Sequence, residues 1–323
     1  MKSAVTGGSG VVGSAVVKHL VASGHEVIAV ARSSQAAAKL TGLGARPIDG
    51  DILDPPSIDR LVAGCDWVFH IAGVNEMCSR HPDLMSRVNV DGTLNVMEAS
   101  RRAGVARLVH TSSAVTLGEL PGEIGSETTT HRGFYLSQYE RSKQNAEQLL
   151  LEQATDLDVV IVNPSSVQGP GRATGTGKLI LDVLNGRLPF LIDARISLVD
   201  IDDCARGHQL AAERGASGER YVLSGSTSTV KDLVSEFARA TGSSLSVRFL
   251  PMWAATAGGA FVEVVARIAG KQPPVCREMV RVLRAGAAYD GSRATRELGL
   301  DYRPLGSMIE RTVAWFRSEG LLK

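Results

Sequence analysis

Thr6-Gly7-Gly8-Ser9-Gly10-Val11-Val12-Gly13 follows directly on Lys2-Ser3-Ala4-Val5. A short apolar run that breaks into glycines and resumes as the helical pattern Val11 to Ala22 predicts strand, tight turn and helix. Glycine lacks a Cβ, so Gly7 and Gly8 are expected to take backbone angles closed to other residues. Gly10 would let the main chain approach a pyrophosphate, and Gly13 would allow close helix–sheet packing. The helix opening at Gly10 would aim free N–H groups and its positive dipole end at phosphates. Read as Gly8-x-Gly10-x-x-Gly13, the loop has the dinucleotide-binding spacing.

The chain around this loop has 323 residues, 44% hydrophobic and 21% charged, the composition of a globular protein. Its 35 Lys+Arg and 34 Asp+Glu leave a net charge of +1, so no global field attracts nucleic acid or an anionic membrane, and a small ligand is the expected partner. Cys65, Cys78, Cys204 and Cys276 form no C-x-x-C pair, which argues against a metal site and against a disulfide framework, and suits a reducing cytoplasm. The first apolar residues are already the first strand, so no signal peptide is expected. The weakly polar run Met252 to Gly270 is broken by Glu263 and Arg267 and reads as an amphipathic helix.

Further strands are expected at Glu26 to Ala31, Trp67 to Ile71, Arg107 to Thr111, Val159 to Val162 and Tyr221 to Leu223, alternating with helices. This alternation predicts an α/β protein, a doubly wound parallel-sheet Rossmann fold. Asp54-Pro55-Pro56 opens one crossover helix through a cap and a proline, His81-Pro82-Asp83 another running to about Arg102, and a third spans about Phe134 to Glu152. Residues 1–166, with return segments near 197–224, are expected to form the dinucleotide-binding part. Residues 167–196 and 225–323 would form a smaller α+β substrate-binding cap, including a helix near Lys178 to Asn185, the helix Val230 to Thr241 and the strand Ser246 to Leu250.

Tyr139-Glu140-Arg141-Ser142-Lys143 sets a phenol and an ammonium one helical turn apart on a common face. A nearby cation lowers the pKa of a phenol, whose ordinary value near 10 is too high for ready proton exchange. Tyr139 is thus a candidate general acid/base, and Lys143 both its activator and a ribose ligand. The strand ending in His110-Thr111-Ser112-Ser113 brings hydroxyls to the carboxyl edge of the sheet, where such folds bind ligands. Ser113 is the expected substrate-oxygen donor and Ser112 the alternative, since a shift of one residue turns a side chain to the other face.

Together Thr6 to Gly13, Gly50-Asp51-Ile52-Leu53-Asp54, His70-Ile71-Ala72-Gly73, Asn89-Val-Asp-Gly-Thr93, Thr111-Ser-Ser-Ala114, Tyr139-x-x-x-Lys143 and Asn163-Pro-Ser-Ser-x-x-Gly-Pro170 resemble the extended short-chain dehydrogenases/reductases. The resemblance spans nearly the whole chain and is strongest over the first 170 residues. Val162 to Ser166, Asn185 to Pro189 and Leu198 to Asp203 are most similar to the dihydroflavonol-4-reductase-like branch and the hopanoid-associated sugar epimerases. The resemblance implies a cofactor site built from Gly7, Gly10, Val11, Val12, Gly13, Asp51 on the adenine, Ile52, Ala72 and Gly73 on the adenosine ribose, Thr111, Tyr139 and Lys143. Pro164 to Ser166 would flank the nicotinamide, and Asn89 would support the active-site strand end. Asp200 stands where such relatives often carry His or Tyr, which unsettles the expected substrate contacts at that edge.

An acidic residue roughly 20 positions after the glycine loop would favour NAD; the chain instead has Arg32, whose guanidinium suits a 2′-phosphate, with Lys39 as a second basic residue. NADP is therefore the favoured cofactor, with NAD as the alternative. The leading expectation is reduction of a ketone or aldehyde by hydride transfer, or the reverse alcohol oxidation, with Tyr139 moving the proton. A sugar epimerase or dehydratase retaining its cofactor is the second reading and a non-catalytic NADP-sensing regulator the third. Asn75, Met77, Val115, Gln168 and Arg172 are candidate pocket residues, and a homodimer is left open.

Overall fold

The computed structural model describes residues 1–79, 81–273 and 275–322. Its strands are β1 (Lys2–Thr6), β2 (Glu26–Ala31), β3 (Arg46–Asp49), β4 (Trp67–His70), β5 (Arg107–Thr111), β6 (Val159–Pro164), β7 (Ser166–Gln168), β8 (Phe190–Ile192), β9 (Arg195–Asp200), β10 (Arg220–Leu223), β11 (Ser226–Thr229) and β12 (Arg248–Leu250). Seven of them form a parallel sheet in the order β10-β6-β5-β4-β1-β2-β3. The order reverses beside β1, and there the carboxyl ends of β1 and β4 open the crevice in which doubly wound folds bind ligands.

The helices are α1 (Val11–Ala22), α2 (Ser34–Gly42), α3 (Pro55–Val62), α4 (Pro82–Ser86), α5 (Gly92–Arg102), α6 (Gln138–Gln153), α7 (Thr176–Leu184), α8 (Ile201–Arg214), α9 (Val230–Thr241), α10 (Met252–Ile268), α11 (Arg277–Ala285) and α12 (Leu305–Ser318). They cover both faces of the large sheet, so β1, β4, β5 and β6 are apolar on both sides. Val5, Phe69, Val109 and Val160 pack toward α1 and α8, whereas Ala4, Val68, Leu108 and Ile161 pack toward α3 and α5. Beyond β6 the chain builds two small sheets, β11-β9-β7 and β12-β8, with a separate core of Leu198, Phe237, Met308, Ile309 and Val313.

Several expectations need correction. Only Gly7 of the paired glycines has a left-handed backbone, with φ of 69°. Gly8 is instead confined by packing, since a Cβ there would lie 3.0 Å from Leu40 and 3.2 Å from Val17. The constraint at Gly13 comes from within the loop, because its Cβ would sit 2.1 Å from the Gly7 carbonyl oxygen. The third crossover helix starts at Gln138, not Phe134: Ser137 accepts a hydrogen bond from the Glu140 amide, and the Glu140 carboxylate reaches back to the Leu136 amide. Asp54 occupies an N-cap position without a side-chain cap bond.

The cysteines give the largest correction. Cys78 and Cys276, 198 residues apart in sequence, form a disulfide that ties the segment after β4 to the residue preceding α11; Cys65 and Cys204 are free and buried. Sequence spacing held no sign of this pairing, since the fold alone makes the two residues neighbours.

Candidate functional site

The glycine loop and the segment after β4 form the two walls of a trough. Thr6 Oγ1 accepts hydrogen bonds from the Ile71 and Ala72 amides, both at 3.2 Å, and holds that segment beneath Gly7. A Cβ on Gly7 would stand 2.6 Å from the Ala72 nitrogen, so only a bare backbone fits. At the start of α1 the N-cap Gly10 offers no side-chain bond to the first-turn amides. These donors and the surrounding close-packed main chain fit the diphosphate of a dinucleotide. Val11 and Val12 in that first turn are half-buried against the core.

The outer end of the trough is exposed. The Arg32 guanidinium lies 3.9 Å from the Asp51 carboxylate, and their side chains are 74% and 42% exposed. Asp51 also accepts from the Leu53 amide at 2.9 Å, while Ile52 is buried against Gly92. Lys39, on α2, donates to the Ser9 carbonyl at 2.8 Å and so overhangs the glycine loop. Arg32, Lys39, Asp51 and the loop thus share one rim.

The inner end is buried and held by a chain of hydrogen bonds. His70 bridges two hydroxyls, with Nδ1 2.7 Å from Thr6 Oγ1 and Nε2 2.9 Å from Thr93 Oγ1. Because Thr93 donates to the Asn89 carbonyl and Thr6 accepts two amides, this network assigns the proton to Nε2 of a neutral ring. Burial keeps His70 neutral by lowering its pKa to about 3, and the nearby Lys143 charge adds to the effect. Burial likewise pushes His110 well below the ordinary histidine value, and neither of its ring nitrogens has a hydrogen-bond partner among the described residues.

Asn89 joins the trough to α6. It lies in a π-helical turn, Arg87–Asp91, between α4 and α5. Its Oδ1 accepts from the Val74 amide at 2.8 Å, and its Nδ2 donates to the Val74 carbonyl and to Ser142 Oγ. Ser142 in turn donates to the Tyr139 carbonyl at 2.8 Å. One turn on, buried Lys143 donates from Nζ to the Thr111 carbonyl at 2.6 Å and lies 3.8 Å from where a Gly73 Cβ would be. Desolvation lowers its pKa to about 8, against the opposing pull of the Glu147 carboxylate. Thr111 Oγ1 also contacts His208 Nε2 at 3.0 Å.

Tyr139 is half-buried on α6. Burial raises its pKa; hydrogen bonding to the Ser113 side chain and the positive charge of Arg172 pull it back. The Arg172 charge thus acts on the phenol, a cation to which the helical spacing gave no pointer. The Ser112 hydroxyl, by contrast, is buried without a partner, so β5 presents Ser113 to the tyrosine. Pro164 closes β6, and Ser166 Oγ accepts from Gln168 Nε2 at 3.0 Å.

Asp200 is committed elsewhere. It caps α8 by accepting from the Asp202 amide and holds Arg303 and Arg311, each at 2.8 Å, so it braces α12 and the preceding segment against α8. Sequence reasoning missed His70, Ser142 and His208, whose roles follow from neighbours remote in sequence. It also missed Glu278, which accepts from the Cys78 and Gln138 amides and ties α11 to both the segment after β4 and the start of α6.

A doubly wound sheet, a glycine loop moulded on Ala72 and a Tyr139–Lys143 helix beside Ser113 define an enzyme of the extended short-chain dehydrogenase/reductase type, dependent on NAD(P). Residues 3–224 match the profile of the NAD dependent epimerase/dehydratase family, and the chain belongs to that family. It is 31% identical to a putative dihydroflavonol 4-reductase of Synechocystis over 99% of this chain and 95% of that protein. It is also 31% identical to sterol demethylase protein B of Methylococcus capsulatus over the full length of both. The crystal structure of gox2253 superposes with a TM-score of 0.86 at 32% identity, covering 100% of this chain and 99% of that one.

Proposed function

We propose that the protein is an NADPH-dependent reductase of a small-molecule ketone or aldehyde, working in either direction, with Tyr139 as general acid/base. The observation that carries this reading is the side-chain hydrogen bond between Tyr139 and Ser113 beyond the carboxyl end of β5, within the field of Arg172 and on the helix whose Lys143 borders the trough at Gly73. When bound, the nicotinamide supplies or accepts the hydride. Tyr139 donates its hydroxyl proton to the carbonyl oxygen as that oxygen gains negative charge, and Ser113 fixes the oxygen by a second hydrogen bond. The Arg172 charge stabilises the phenolate left behind. Lys143, anchored on Thr111, presents its ammonium toward the ribose hydroxyls, and Asn89 keeps α6 and the segment at Val74 in register.

Arg32 and Lys39 on the outer rim support NADP over NAD, since both are cations placed where a 2′-phosphate would extend beyond Asp51. Residues 167–196 and 225–323 are the proposed substrate-binding part. The test is a titration of NADPH fluorescence followed by a panel of ketones and aldehydes with NADPH and NADH. Turnover of added NADPH with a carbonyl compound is the expected result. Tight retention of cofactor with no turnover across the panel, together with sugar interconversion, would replace this reading with that of an epimerase.

A further inference from the structure

The helix α10 has two apolar faces, and only one is covered. Its inward face packs on α11 through Gly259, where a Cβ would meet Val280 at 2.9 Å, and through buried Ala255. On the outward face Trp253, Phe261 and Ile268 are 75%, 71% and 83% exposed, and Val264 and Val265 are about half exposed. At roughly 100° per residue these five side chains fall within about 120° of arc, a continuous stripe about 22 Å long. A soluble surface rarely leaves so many large apolar groups together.

The charge carried by α10, α11 and the turn between them is one-sided. Between residues 252 and 285 the chain carries Arg267, Lys271, Arg277, Arg281 and Arg284 against Glu263 and Glu278, a net +3 in a chain whose total is +1. All five basic residues are exposed. Both acids are engaged: Glu263 pairs with Arg267 and accepts the Arg277 amide, and Glu278 accepts the Cys78 and Gln138 amides. Among the described residues the side chains of Lys271, Arg277, Arg281 and Arg284 have no ion-pair partner. A second copy pairing through this stripe by two-fold symmetry would bring two such basic surfaces together, whereas an anionic lipid surface complements them.

We propose that α10 lies in the interface of an anionic bilayer, its Trp253–Ile268 stripe among the acyl chains and the exposed basic residues of the α10–α11 hairpin drawn to the headgroups. No helix among the described residues is long and apolar enough to cross a membrane, so the attachment is to one leaflet. It sets α11 between the lipid surface and the trough, because α11 packs on the inward face of α10 and is tied to the segment after β4 by the Cys78–Cys276 disulfide and to α6 by Glu278. The inference does not depend on the reaction proposed above.

The test is co-sedimentation of the full chain with vesicles of equimolar phosphatidylcholine and phosphatidylglycerol, compared with phosphatidylcholine alone. The wild type should bind the anionic vesicles at least about tenfold more tightly, and added salt should weaken the binding. The double variants Trp253→Ser/Phe261→Ser and Arg281→Gln/Arg284→Gln should each lose about tenfold, with thermal melting unchanged because all four sites are exposed. Three outcomes would overturn the proposal: no binding to anionic vesicles, equal binding by wild type and the Trp253/Phe261 variant, or a solution dimer that this variant dissociates and that binds no vesicle.

Discussion

The two ends of the trough are built on opposite principles. At the outer end Arg32, Lys39 and Asp51 stand in water, loosely associated, with a single 3.9 Å contact between the first and the third. At the inner end Thr6, His70, Thr93, Asn89 and Ser142 are linked by short hydrogen bonds, Lys143 donates to the Thr111 carbonyl, and all six are buried. Water screens charge at the first site and is excluded from the second, so only the second can hold a lysine or a histidine far from its ordinary pKa. Proton chemistry needs the buried end. Discrimination between cofactors differing by one phosphate can be made at the exposed end by charge alone.

Removing the Tyr139 hydroxyl should give the largest effect. Tyr139→Phe is expected to lower turnover by at least about a hundredfold while the dissociation constant for NADPH stays nearly unchanged. Wild-type turnover by the Phe variant would detach the chemistry from the inner end. Arg32→Asp should act only at the outer end, swinging the preference from NADP toward NAD by about 2 to 4 kcal/mol. Dissociation constants for both cofactors, on wild type and variant, check it; a wild type already preferring NAD would remove Arg32 from the site.

Lys143→Met tests the cost of the buried end. The native lysine titrates at about 8 in place of 10.5, so at pH 7 it is buried as a cation at a cost of up to about 3 kcal/mol. Between pH 8 and the ordinary lysine value the folded protein binds fewer protons than the unfolded chain, and wild-type stability from this group rises with pH. The Met variant should therefore bind cofactor worse yet melt higher at pH 7, with its advantage shrinking as pH rises through that window. A constant difference in melting temperature across the window would show that Lys143 is not desolvated. Gly8→Ala should be the mildest change, about 1 kcal/mol of overpacking against Leu40 and Val17 in chemical denaturation, with φ left unstrained.

What could be read in the sequence follows the same division. Local signals were sufficient for β2, β5, α1 and α9, whose apolar periodicity and caps coincide with their limits. The strand β3 escaped because Pro47 argues against a strand, an objection that an edge position removes. The capping box Ser137-x-x-Glu140 was legible and would have placed the start of α6 correctly. The wiring of the inner end was not, because Asn89, Ser142 and Val74 meet only after β4, the π turn and α6 have been assembled. The disulfide and the Arg172 charge on Tyr139 belong to the same category: each joins the first half of the fold to segments beyond β7.

The π turn at Arg87–Asp91 makes the length of this region matter as much as its composition. One extra residue is looped out of an otherwise continuous helical path from Pro82 to Arg102, and Asn89 lies within it. Loss of one of the neighbours of Asn89 would let the path close into regular α-helix, its flanks keeping nearly their present register while the bulge that sets the direction of Asn89 disappears. Asn89 would then turn away from Val74 and Ser142 although no side chain had been replaced. A one-codon deletion there would thus uncouple the trough from α6 with every hydrogen-bonding side chain of the network still present.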